Sequence, residues 1–113
     1  SIGTYVTLAD YVKYYREQHK LEIKEIYASR STEKNKLFKE AIASEEGEQK
    51  LIKEYIDPFN EVFIDTVKSE RPEVDESVFT GKLFRAKEAQ EKGLIDGLKT
   101  LNEVLQRAAD LAA

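Results

Sequence analysis

Apolar and polar positions alternate along this chain in two rhythms. Residues 2–7 (Ile-Gly-Thr-Tyr-Val-Thr) and residues 22–28 (Glu-Ile-Lys-Glu-Ile-Tyr-Ala) are rich in β-branched and aromatic side chains, which predicts strands. Between them Leu8, Tyr11, Val12 and Tyr15 recur at helical spacing, which predicts a helix over residues 8–19. Thr7 followed by Asp10 comes close to a capping box for that helix. Strand, helix and strand in so short a span form a βαβ unit, which crosses over to a parallel neighbour.

Residues 29–36 are polar and read as an irregular loop, the place where α/β folds put chemistry. Ser44 is a suitable N-cap, and Glu45, Glu46 and Glu48 suit the positive end of a helix dipole. Leu51, Ile52, Tyr55, Ile56, Phe59, Val62, Phe63 and Val67 then form one apolar stripe, predicting a long helix that lasts to about Ser69. Pro58 lies inside it, so a kink and a missing backbone bond near Glu54 are expected. Val78 and Phe79 read as a short strand, with Thr80 capping a helix after Gly81. Gly93 suits the left-handed position that ends that helix, and Leu94-Ile95 reads as a buried strand. Thr100 and Glu103 form a capping box for a last helix striped by Leu101, Val104, Leu105, Ala108 and Leu111. The expected class is therefore α/β, with strands that need more sheet beside them.

At 113 residues the chain is at most one small domain, and 41% hydrophobic with 35% charged residues is ordinary for a folded chain. A net charge of −4 argues against nucleic acid or anionic membrane as a partner. No apolar run approaches the roughly 20 residues of a membrane span. Zero cysteines exclude disulfides and thiolate metal sites, and the single histidine, His19, excludes a multi-histidine centre. No metal or cofactor is expected. His19, at a helix end, and Asp96, at a strand end, read as structural residues.

Two motifs and their order carry a family resemblance. Ser1-Ile2-Gly3 opens the chain; Phe79, Gly81, Ala89 and Gly93-Leu94-Ile95-Asp96 close it. Together they resemble the C-terminal portion of the signal peptide peptidase A (protease IV) family of serine peptidases. The longer helix before Gly93 looks more like phage-type members. The resemblance implies a partial domain over residues 1–113, the C-terminal part of a Clp protease–crotonase-like fold: βαβ unit, long kinked helix, short strand-helix-strand, final helix. It implies a serine endopeptidase with Ser-Lys chemistry, processing signal peptides or capsid proteins, and no cofactor. The family's general base lies in the loop after the second strand. Ser29-Arg30-Ser31-Thr32-Glu33-Lys34-Asn35 is the matching run, with Lys34 as the base, Lys36 as its rival and Arg30 as a weaker one. Asn35 stands where the family has Asp. Ser1 would correspond to the serine that orients the lysine. The family's nucleophile lies in an upstream Ser-Gly-Gly segment, and no such segment is in this sequence, so this chain alone is expected to be inactive.

The partners this implies are a peptide or protein substrate, an N-terminal part of the same protein, and further copies in a homo-oligomer, in a cytoplasmic setting unless that N-terminal part is membrane-anchored. The alternative is a non-enzymatic helical assembly module. A third reading makes Ser1 an N-terminal nucleophile with its own amine as base, but such enzymes need more strands than this chain offers.

Overall fold

A computed structural model describes all 113 residues, and every regular element in it is a helix. The helices are α1 (Tyr11–His19), α2 (Lys36–Ala43), α3 (Glu45–Leu51), α4 (Asp57–Glu70), α5 (Ala86–Glu91) and α6 (Leu101–Ala112). A π-helical segment, Ile52–Ile56, joins α3 to α4, and a 3₁₀ turn, Glu76–Thr80, follows α4. The chain divides into two compact units, residues 4–61 and residues 1–3 with 62–113.

The absence of any strand overturns the α/β expectation, and with it the βαβ unit and the Clp protease–crotonase-like sheet. Residues 2–7 and 22–28 are irregular. No main-chain hydrogen bond is donated by residues 4–9 or 22–27. Strand composition records fit to a pleated surface with neighbours. Without a ladder to join, the same residues leave Tyr5 at 87% and Ile26 at 91% exposure. Val78 and Phe79 fall in the 3₁₀ turn, Leu94 lies in a bend after α5, and Ile95 is irregular.

The helix limits also move. α1 starts at Tyr11, capped by Asp10 rather than Thr7, with the Asp10 carboxylate accepting from the Lys13 N–H at 2.8 Å. Thr80 caps nothing; its hydroxyl donates to the Ser77 carbonyl at 3.4 Å, and Arg85 precedes α5 without a side-chain cap. Residues 36–43 form α2, a helix the polar start of that region concealed.

Other expectations hold. Ser44 caps α3, accepting from the Gly47 N–H at 3.0 Å. Proline does interrupt the long helix, but as a π segment. Pro58 cannot donate to Glu54, and the Asp57 N–H reaches five residues back to Ile52. Gly93 takes φ +78°, and the Gly93 and Leu94 N–H groups bond Gln90 and Ala89, which makes a Schellman stop. The Thr100–Glu103 capping box is present.

In the unit of residues 4–61, α2 and α3 pack so closely that Gly47 lies on the α2 backbone. A Cβ there would come within 2.8 Å of the Ala41 nitrogen and closer still to the Glu40 carbonyl. Leu51 is buried, and Lys50 bonds Glu40 at 2.9 Å. In the other unit, Ile2, Val74 and Val78 form the core, covered by Ile64, Val67, Phe79, Phe84 and Leu94. Arg71 ties its ends, donating to the Gly93 carbonyl at 3.1 Å and to Asp96 at 3.0 Å.

Gly47→Ala sets two effects against each other. Alanine gains about 1 kcal/mol of helix propensity, whereas overpacking costs typically about 1–3 kcal/mol or more. The obstacle is backbone, which cannot swing aside, so a net loss of about 2 kcal/mol is expected in urea unfolding. Arg71 holds the Asp96 carboxyl below its ordinary range. That stabilisation is complete above the ordinary aspartate value of about 4 and is lost as pH falls through the lowered one. The urea midpoint of the parent should exceed that of Asp96→Asn at pH 6, and the gap should close as the pH approaches about 2.

Candidate functional site

The loop after residue 28 is folded by its own backbone. Ser31 N–H bonds the Ala28 carbonyl at 2.9 Å, Lys34 N–H the Ser31 carbonyl at 3.2 Å, and Lys36 N–H the Glu33 carbonyl at 3.2 Å. Asn35 then turns into α2 at φ 60°, a left-handed value that asparagine tolerates better than most residues. These turns, with the first turns of α2, enclose a surface hollow of about 400 Å³ lined by Tyr27, Ser31, Thr32, Lys34, Lys36 and Lys39, among others.

The three lysines of the hollow are not equivalent. Lys36 pairs with Glu33 at 3.4 Å. Lys39 pairs with Glu25 and sits over the Tyr27 ring at 4.6 Å, and the Glu25 bond holds its ammonium above the usual lysine range. A carboxylate partner favours the charged form. Lys34 has neither ion pair nor side-chain hydrogen bond, and Ser31 and Thr32 line the same hollow. Arg30, at the exposed tip of the loop, does not line the hollow.

Ser1 belongs to the other unit. Its hydroxyl donates to the Gly81 carbonyl at 2.8 Å, and the Gly81 N–H donates to the Ile2 carbonyl at 2.9 Å. A Cβ on Gly3 would lie 3.1 Å from the Gly81 Cα, so glycine permits this close approach. Gly81 itself holds φ +80°. The two motifs that carried the family resemblance, at opposite ends of the sequence, are thus in contact with each other.

That contact agrees with the comparison by sequence, in which the model of Peptidase family S49 matches residues 1–113. The chain belongs to peptidase family S49. No curated protein and no solved structure matches it. Membership assigns this S49 chain to a group of peptidases, whose substrates are peptides, in line with the signal peptide peptidase A resemblance.

Other residues of the S49 chain have structural partners. His19 packs against the rings of Tyr14 and Tyr15, at 5.8 and 5.6 Å between centroids. Asp96 is held by Arg71. Sequence reasoning missed the Lys39–Glu25 pair, because residues so far apart in sequence meet only when the loop folds back. It also missed the Ser1–Gly81 bond; the glycine in each motif was the available signal. No helix is long and apolar enough to cross a membrane.

Proposed function

We propose that this chain is part of a serine endopeptidase working by Ser-Lys chemistry, with Lys34 as general base and the nucleophilic serine on polypeptide outside these residues. Family membership supports peptide-bond hydrolysis. The choice of Lys34 rests on one observation: it is the lysine of the loop hollow that no carboxylate holds.

The chemistry requires such a group. An ammonium with an ordinary pKa of about 10.4 cannot serve as a base at neutral pH. Burial by bound substrate, without a compensating carboxylate, favours the neutral amine. That amine takes the serine hydroxyl proton as the oxygen attacks the peptide carbonyl carbon. Collapse of the tetrahedral adduct breaks the C–N bond, and the proton passes to the leaving amine. Water, deprotonated by the same amine, then cleaves the acyl ester and regenerates the serine. Lys36, already engaged by Glu33 in an ion pair, is the poorer candidate. Ser1 is assigned the orienting role; with its hydroxyl donating a hydrogen bond to the Gly81 carbonyl, its oxygen keeps lone pairs that can accept from an amine. Within the family, the spacing from Gly81 to Gly93 favours a phage-type role in capsid-protein maturation.

A second property is self-assembly, favoured by α6. Its stripe of Leu101, Val104, Leu105 and Leu111 remains exposed although the helix is well formed and closed at its N-terminus by a capping box. An apolar stripe on a well-formed helix is a surface for another helix, here assigned to further copies of this chain.

In the full-length enzyme, Lys34→Ala should reduce kcat at least about 100-fold, within the range general-base loss produces, whereas Lys36→Ala should leave it within a few-fold. Comparable turnover by Lys34→Ala would remove Lys34 from the mechanism. Leu105→Glu should lower the mass measured by sedimentation equilibrium without loss of helicity by circular dichroism.

A further inference from the structure

Within the unit of residues 4–61, and apart from the lysine hollow, lies a larger cavity of about 640 Å³. Ile42, Ile52 and Ile56 contribute to its walls, and Asp10, Glu48 and Asp57 also line it. No lysine or arginine does. One side is formed by Thr4, Tyr5 and Val6, whose main-chain N–H and C=O groups have no partner in the protein. Thr4 is fixed by its hydroxyl, which donates to the Asn60 side chain at 3.1 Å.

From this arrangement we infer a specificity subsite for a polypeptide segment that carries an aliphatic residue next to a lysine or arginine. The inference rests on the peptidase reading for the nature of the ligand, and on the cavity for its side chains. The volume falls within the range of ordinary ligand pockets, about 300–1,000 Å³. The isoleucines supply an apolar wall that rewards an aliphatic side chain. Carboxylates without basic residues among them make the lining attractive to a cation and repellent to an acidic peptide, so one feature both selects and rejects. The free main-chain groups of residues 4–6 can pair with those of a bound peptide, a mode in which backbone bonds give affinity and side-chain pockets give specificity.

The three carboxylates differ in their duties. Asp10 caps α1, so altering it would perturb the fold. Glu48 and Asp57 form no ion pair and can be neutralised by isosteric amides. The cavity needs neither Lys34 nor Ser1, so ligand binding and peptide-bond cleavage can be measured separately.

The test is fluorescence anisotropy of labelled hexapeptides with this chain. One peptide has a Leu-Lys centre, one a Leu-Glu centre and one a Ser-Lys centre. The Leu-Lys peptide should bind at least about tenfold more tightly than either other. The Glu48→Gln, Asp57→Asn double variant should bring it to the level of the Leu-Glu peptide while circular dichroism stays unchanged. Lys34→Ala should leave binding as it was, which separates this site from the base: retained binding here with cleavage lost in the full-length enzyme supports both assignments, and retained cleavage there would overturn the base but not the subsite. Equal affinity for the Leu-Lys and Leu-Glu peptides, absence of binding by all three, or indifference to the double variant overturns the subsite.

Discussion

The approach of the first three residues to Gly81 is the constraint around which one of the two units is built. Two hydrogen bonds hold it, and glycines at positions 3 and 81 make it sterically possible. Ile2 is delivered by this contact onto Val74 and Val78, and together they form the unit's core. A side chain at either glycine would push the backbones apart or strain the turn. That explains in physical terms why motifs nearly eighty residues apart belong to one signature.

Little else in the chain is buried. Ile2, Leu51, Val74, Val78 and Ala89 make up the buried apolar set, and none of the buried side chains is polar or charged. Stability therefore leans on local devices: caps at Asp10, Ser44 and Thr100, the Schellman stop at Gly93, and the Gly47 contact between α2 and α3. Most ion pairs are exposed, a class that contributes at most about 1 kcal/mol each. Their consequence for the proposed mechanism outweighs their contribution to stability. By occupying Lys36 and Lys39, Glu33 and Glu25 leave Lys34 as the loop amine without a counter-ion.

The family and the architecture have to be kept apart. Membership in the S49 family is carried by residue identities spread over the whole chain. Architecture is decided by what those residues pack against. Residues 2–7 and 22–28 have strand composition and no neighbouring strand, and they remain irregular. A function inferred from a site does not depend on the surrounding fold class. Accordingly, the proposed roles rest on the hollow at Lys34 and the cavity at Ile52, and not on a sheet.

By itself the sequence determined the features that are encoded within a few residues. Ser44, the Thr100–Glu103 box, the Gly93 stop and the interruption at Pro58 are all local, since each depends on a side chain or ring acting on backbone one turn away. The motif residues also sufficed to indicate the family. Tertiary structure decided what depends on distant partners. It denied the strands, because a ladder needs a second chain segment at hydrogen-bonding distance and none is there. It revealed α2 directly after the polar loop, and Gly47 lets α3 pack closely on it. It also separated Lys34 from Lys36, since an ion pair is a property of where two charges end up and not of the residues that carry them.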